Sequence, residues 1–331
     1  MEHRPIQSVR PGPSPAPDRT CAADDVGPPA SDLWSDWLLH IRHGGNADLE
    51  AEINAELEPC LQRVLDSAKL GPGMTLADIG TGAGLVGFGA IDRIGPSLHV
   101  LMTDVSAPLL RHAQALAVQR GVASQCTLIE CPADSLLAIQ DNAVDAVCTR
   151  AVLAYVADKP AAMREFFRIL HPGGRLSLSE PVMRDAAIET HSLREAVASL
   201  PDSSEARFLR LLHRWKAAQF PDTEEKISAS ALANYGERDL VRFALEAGFE
   251  QVHLELHIDV RPAPVTSWDV LLRCSPHPWA PTLETVLATQ FTPAERLCFE
   301  QWLRPRVEAR QLRMAERVTY LSGTKPMAHA G

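Results

Sequence analysis

The sequence predicts an α/β fold, a doubly wound and mostly parallel sheet carrying helical insertions, and three observations predict it. Between residues 74 and 179, short apolar runs alternate with segments of helical periodicity, the order that builds βαβ units. The runs are apolar almost throughout, with Ala143–Cys148 interrupted only by Asp145, as strands covered on both faces require. The first run ends in glycines at 80, 82 and 84, residues that let a strand turn tightly into a helix.

Taken in order, residues 1–30 hold seven of the chain's 25 prolines and few large apolar residues, so a disordered or extended tail is expected there. Folding should begin at Ser31-Asp32, with Ser31 capping a helix LWSDWLLHIRHGG that Gly44-Gly45 stops. A second helix, roughly 47–70, ends at Gly71-Pro72-Gly73. Strands read at Met74–Ile79, Leu98–Thr103, Thr127–Ile129, Ala143–Cys148 and Arg175–Ser179, with helices near Leu85–Ile94 and Pro108–Arg120 between them. After Glu180 the alternation stops, and residues 182–235 read as a helical insertion. The core resumes over 236–260 with a helix at Glu237–Ala247 and a strand at Phe249–Ile258. A second helical insertion, 261–316, is broken by Pro276, Pro278 and Pro281, and Val318–Gly323 reads as the last strand, within 317–325.

Composition excludes several function classes. Lys and Arg number 32 against 42 Asp and Glu, a net charge of −10, which argues against holding nucleic acid through a global basic field. No apolar stretch is long enough to span a membrane, and the N-terminus lacks the apolar region of a secretory signal. The seven cysteines are scattered and free of CxxC pairs, a pattern that fits a reduced, cytoplasmic protein with no metal site.

The segment Leu76-Ala77-Asp78-Ile79-Gly80-Thr81-Gly82-Ala83-Gly84 carries the ligand question, because glycines at a helix N-terminus let a ligand approach the backbone. Gly82, Gly84 and Gly87 also satisfy the spacing of a dinucleotide site. Asp78 weighs against that reading: a carboxylate at the strand's end repels a pyrophosphate and attracts the ammonium and sulfonium of S-adenosylmethionine. Asp104 ends the next strand 20 residues after Gly84, a placement that serves a ribose in either ligand.

At this point DIGTGAG, the Thr-Asp ending strand two, CPADSL, VDAVCTRAVLAYV and REFFRILHPGGRLSLSEP, in that order, resemble the class I S-adenosylmethionine-dependent methyltransferases. Within that class it resembles the group typified by the ubiquinone and menaquinone biosynthesis enzymes. The resemblance is strong over 71–181 and weak over 237–258. It implies a Rossmann-like seven-stranded sheet, mostly parallel with the last strand antiparallel, and S-adenosylmethionine as cofactor. Carried across residue by residue, it implies that Asp78 and Gly80 sit by the methionine end, with Gly82 and Gly84 passing beneath ribose and methionine. Asp104 would bind the ribose and Val105 pack on the adenine. Where the family has Gly-Asp-Ala, this chain has Cys131-Pro132-Ala133, so the usual acid at the adenine amino group is missing; Asp134 and the Ala133 N–H are the replacements. Thr149 and Arg150 follow strand four, where the family contacts the methionine moiety. Arg150, unusual there in size and charge, pairs either with the methionine carboxylate or with an acidic substrate. Helices before the first strand close over the cofactor in this family, which makes Trp37 a lid residue, although Trp34, Trp37, His40 and Ile41 form a stripe that suits core packing as well.

Methyl transfer asks the protein chiefly to hold the acceptor in line, and a general base only when the acceptor atom is protonated. Tyr155, Glu180, His191 and His213 are the candidates. Each has a plain alternative: packing for Tyr155, an exposed strand end for Glu180, surface or packing roles for the histidines. The chain lacks the Asn-Pro-Pro-Tyr type of motif after strand four, reading Thr149-Arg150-Ala151-Val152, which counts against amide methylation. His253 and His257 share a strand face without a third ligand, and His171 lies in a turn. Trp215, Phe220, Trp268, Trp279 and Trp302 give the insertions an aromatic complement suited to a cap over a planar small molecule or to a homodimer interface. The leading expectation is a cytoplasmic S-adenosylmethionine-dependent methyltransferase of secondary metabolism with a small-molecule substrate, binding neither nucleic acid nor membrane. The alternatives are an enzyme that uses the same cofactor without transferring methyl, a NAD-dependent oxidoreductase, and a ligand-binding protein with a degenerate site.

Overall fold

The computed structural model describes residues 31–327; the Pro-rich stretch 1–30, expected to be disordered, lies outside them. Its strands are β1 (Thr75–Ile79), β2 (His99–Asp104), β3 (Cys126–Glu130), β4 (Val144–Arg150), β5 (Leu170–Pro181), β6 (Glu250–Pro262) and β7 (Arg313–Thr324). They form one sheet in the order β3-β2-β1-β4-β5-β7-β6. Neighbours from β3 through β5 are parallel, and β7 runs antiparallel to both β5 and β6. This is the Rossmann-like seven-stranded sheet expected, with its last strand reversed.

Strand period decides the layers, because alternate residues face opposite sides. Leu76, Val100, Met102, Ala146 and Cys148 face α2 (Ala47–Ala68), α3 (Leu85–Ile94) and α4 (Ala107–Gln119). Ala77, Ile79, Val147, Leu176 and Leu178 face α5 (Lys159–Ile169) and α9 (Glu237–Ala247). Both faces are covered, which is why the strands read as apolar runs. β1 lies between β2 and β4, so its crossover and that of β4 leave in opposite directions. A crevice opens where Ile79 and Thr149 end side by side, the switch point at which sheets of this kind bind ligands.

The first insertion forms α6 (Met183–Ala198), α7 (Ser204–Ala217) and α8 (Glu224–Ala229). The second forms α10 (Trp268–Arg273), α11 (Leu283–Gln290) and α12 (Pro293–Glu308). It is shorter than the sequence suggests, since β6 and β7 remain paired out to Pro262 and Arg313. The two insertions share a core of their own, in which Phe208, Leu211 and Trp215 meet Trp268, Leu283, Phe299 and Leu303.

The N-terminal helix differs from expectation in two ways. Its cap is Asp32 and not Ser31: the Ser35 N–H donates to Asp32 Oδ1 and the Asp32 N–H donates to Ser35 Oγ, a reciprocal box. The helix is also not regular. After α1 (Leu33–Asp36) the chain makes a π turn over Trp37–Ile41, and the Arg42 N–H reaches back five residues to the Trp37 carbonyl at 2.8 Å.

Candidate active site

The site starts from the turn after β1. Gly80, Gly82 and Gly84 have φ of 65°, 55° and 86°, the left-handed region that side chains resist. A Cβ on Gly84 would stand 2.3 Å from the Phe88 ring, and one on Gly80 would stand 2.5 Å from Val152. Gly84 is the N-cap of α3 and has no side chain to offer the helix. Asp78 supplies what is missing. Its Oδ2 accepts from the Gly87 N–H at 2.9 Å and from the Thr81 hydroxyl at 2.6 Å, satisfying one of the helix's orphan donors. The residue is wholly buried, and loss of hydration pushes its pKa up to about 6. Asp78 therefore borders the crevice as the brace of the glycine turn, with one oxygen committed to the protein and not to a ligand.

Asp104 ends β2 beside that turn. Its Oδ2 accepts from the Gly82 N–H and its Oδ1 from the Ser106 N–H, both at 2.9 Å. Burial raises its pKa. These two donors fix the carboxylate's plane and leave lone pairs toward the crevice. Next to it Val105 is 47% exposed, an apolar surface facing outward from a strand end. Ser106 caps α4 and its hydroxyl donates to Asp32 Oδ1 at 3.0 Å, which ties the N-terminal helix to this loop. Ala133 and Asp134 border the same crevice beyond Pro132.

The crevice is one end of a cavity of about 1680 Å³, larger than the ~300–1,000 Å³ usual for one small ligand. The N-terminal segment roofs it: Leu38 sits 3.1 Å from where a Gly82 Cβ would be, and Trp34 and Trp37 line the wall. The Trp37 indole N–H donates to the Ser275 carbonyl at 3.1 Å, joining this roof to the second insertion. Trp34, Tyr155 and Trp279 meet edge to face with centroids 5.3–6.0 Å apart. From the first insertion, Phe208, Trp215 and Phe220 complete the apolar wall.

Residues 70–226 match the family described as "Methyltransferase domain". Over that segment, just under half of its length, the chain is similar to the class I methyltransferases. Among curated proteins it is 34% identical to nocamycin O-methyltransferase of Saccharothrix syringae over 124 residues, 38% of this chain and 44% of that one. It is 30% identical to the ubiquinone/menaquinone biosynthesis C-methyltransferase UbiE of Xylella fastidiosa over 114 residues, 34% of this chain and 45% of that one. It is 24% identical to the arsenite methyltransferase of Halobacterium salinarum over 191 residues, 55% of this chain and 47% of that one. The matched segment thus spans less than half the length of each of these relatives. The class is S-adenosylmethionine-dependent, and the residues present fit that cofactor. The donor set pairs a fixed, acceptor-only carboxylate at Asp104 with an apolar neighbour at Val105, the chemistry a ribose and an adenine require.

The candidate bases separate. Tyr155 borders the cavity, but burial outweighs the nearby Arg42 and Arg150 charges and pushes its phenol up to about 12, so it stays protonated at neutral pH. Glu180 is not at the cavity. It is fully buried and accepts from the Val152 N–H at 3.0 Å, the Ala154 N–H at 3.3 Å and the Thr149 hydroxyl at 3.1 Å. Thr149 is likewise buried and spent on this brace. His191 and His213 flank Asp222 away from the cavity: His191 Nδ1 lies 3.0 Å from the Asp222 carbonyl, and His213 Nε2 lies 3.2 Å from the Asp222 carboxylate. His253 and His257 both lean on Glu255. Of the aromatic complement, Trp268 and Trp302 belong to the insertions' own core and not to the cavity wall.

Among the cavity residues that sequence reasoning missed are Leu38, Arg42 and Lys216. Arg42 escaped because of the π turn. On a regular helix, five residues after Trp37 means about 140° around the axis, nearly the opposite face. The five-residue hydrogen bond instead stacks the Arg42 guanidinium over the Trp37 ring, 5.7 Å from its centroid, which brings it to the cavity side.

Proposed function

We propose that this protein is an S-adenosylmethionine-dependent methyltransferase acting on a small organic molecule. One observation carries the reading: the crevice with Asp104 and the glycine turn opens into a single cavity with the aromatic wall, so cofactor and acceptor share one enclosure. When bound, the cofactor supplies the electrophilic methyl group. Asp104 would hold the ribose hydroxyls, Val105 the adenine face, and Ala133 and Asp134 the adenine edge, while the turn at Gly80–Gly84 lies under the methionine end. Trp37 and Leu38 exclude water from above. Orientation and dehydration are terms worth roughly 7–11 kcal/mol in favourable intramolecular cases. Because Tyr155 stays protonated and Glu180 is fully committed, the favoured acceptor atom is one that needs no proton removed by these groups, with the Tyr155 hydroxyl as a donor. A cytoplasmic setting, no nucleic-acid or membrane partner and a role in secondary metabolism belong to the same reading. No helix among the described residues is long and apolar enough to cross a membrane.

Calorimetry with S-adenosylmethionine and with NADH tests this. Micromolar binding of the former and none of the latter is expected, and the reverse sinks the reading. A methyl-labelled cofactor then separates transfer from other uses of the same site, since label reaches the product only in true transfer.

A further inference from the structure

Three cationic side chains line the cavity without an anionic partner, two of them resting on rings, Arg42 on Trp37 and Lys216 on Trp215. Arg42, Arg150 and Lys216 all border it, and none forms an ion pair or a side-chain hydrogen bond with any described residue. The other arginines of the wall are engaged: Arg120 with Asp92, Arg261 with Glu56 and Glu316, Arg306 and Arg313 with backbone carbonyls. A half-buried cation left unpaired in a largely apolar wall is costly, so its persistence needs a reason.

Two backbone irregularities place the arginine pair. The π turn over Trp37–Ile41 brings Arg42 over Trp37, and π turns in helices are frequent at functional sites. Arg150 is followed by Ala151 at φ 54°, a left-handed conformation rare for a residue with a side chain, and its N–H is pinned to the Ser179 carbonyl. The two guanidiniums are close enough to oppose each other. Burial, followed by the Arg150 charge, pushes Arg42 down to about 10. Glu50 and Glu316 act on Arg42 only from beyond ion-pair distance. The Tyr155 hydroxyl feels both guanidiniums and donates to no described residue.

The wall also carries Asp78, Asp104 and Asp134 on its cofactor side, but none of them pairs with Arg42, Arg150 or Lys216, and the cofactor's one carboxylate cannot pair with all three. That carboxylate brings one negative charge, but the cofactor's ammonium and sulfonium bring two positive ones, so a loaded site is more cationic than an empty one. We infer that the methyl acceptor is an organic anion, an apolar body bearing a carboxylate or phosphate that Arg42, Arg150 and the Tyr155 hydroxyl hold together. The planar forks of two arginines match such oxyanions in geometry as well as charge. The aromatic rings of Trp34, Trp37 and Trp215 receive the apolar body, and Lys216 keeps the far wall cationic. This inference rests on the methyltransferase reading and names its substrate class.

The test uses the full chain loaded with S-adenosylhomocysteine, titrated calorimetrically with 1-naphthoate, 1-naphthyl phosphate and the neutral methyl 1-naphthoate. At least one oxyanion should bind tenfold or more tightly than the ester. In Arg42→Gln and Arg150→Gln that preference should vanish while affinity for S-adenosylhomocysteine shifts less than threefold. Circular dichroism and melting of each variant confirm that it is folded. An ester that binds as well as the acids, or no binding of any of the three, overturns the inference, and so does loss of S-adenosylhomocysteine binding in both variants, which would assign the pair to the cofactor. If the wild-type chain binds neither S-adenosylhomocysteine nor S-adenosylmethionine, the methyltransferase reading itself fails, a separate outcome.

Discussion

Replacing Glu180 by alanine distinguishes a brace from a base. The side chain is wholly buried and accepts hydrogen bonds from Val152 N–H, Ala154 N–H and Thr149 O–H. Alanine would orphan three buried donors at ~1–3 kcal/mol each, a gross loss of roughly 3–9 kcal/mol. Part of it is returned, because burial raises the pKa of this carboxyl and so works against its charged form. A net loss of about 3 kcal/mol is expected, a large fraction of the ~5–15 kcal/mol that holds a typical protein folded. Urea unfolding followed by far-ultraviolet circular dichroism measures it. The loop from Ala151 to Tyr155 should loosen as well, so cofactor and acceptor affinities fall with stability. Glu180→Gln keeps one acceptor oxygen but turns an amide toward the N–H groups, and should fall between wild type and alanine. A Glu180→Ala protein within about 1 kcal/mol of wild type would refute the brace. So would a Glu180→Gln protein that is equally stable, binds cofactor normally and transfers no methyl, since that would place Glu180 in the chemistry.

Asp104→Ala removes the acceptor at the end of β2 and should weaken S-adenosylhomocysteine binding by about 2–3 kcal/mol, ~30–150-fold, by calorimetry; an unchanged affinity would misplace the ribose. Gly84→Ala combines a left-handed backbone at φ 86° with a Cβ 2.3 Å from the buried Phe88 ring, and should cost roughly 2–4 kcal/mol of stability in urea. Asp78 has a folded pKa raised from 3.8 to about 6. The folded state therefore holds that proton more tightly, and the group's contribution is full below pH 4 and lost as pH rises through 6. The loss amounts to about 3 kcal/mol. Asp78→Asn should gain on wild type by that amount between pH 4 and 7, and a pH-independent difference between the two would contradict the assigned burial.

The alternation of strands and helices is legible because each strand is covered on both faces, so Leu76 and Ala77 both had to be apolar. The glycine turn is legible because only glycine tolerates the three left-handed positions at 80, 82 and 84. What the sequence hid is direction. Asp78 and Glu180 both stand at strand ends and both accept from donors that no spacing rule reveals, yet Asp78 still borders the cavity while Glu180 lies away from it. Arg42 was hidden for the opposite reason: a helical wheel faces it away, and one widened turn rotates it in. His191 and His213 were singled out by residue type alone, and their shared neighbour Asp222 lies outside the cavity.

Ser106 belongs to two circuits at once. Its backbone N–H holds the Asp104 carboxylate, and its hydroxyl holds the Asp32 side chain that starts the roof helix. Whatever steadies Asp104 therefore also steadies the roof, and the coupling runs equally in both directions. A nucleoside settling on the strand end would draw the preceding helix down over itself, and a clipped or frayed N-terminal segment would be felt as weaker nucleoside binding. Through that one hydroxyl, the proposed cofactor site and the roof above it would tighten and loosen together.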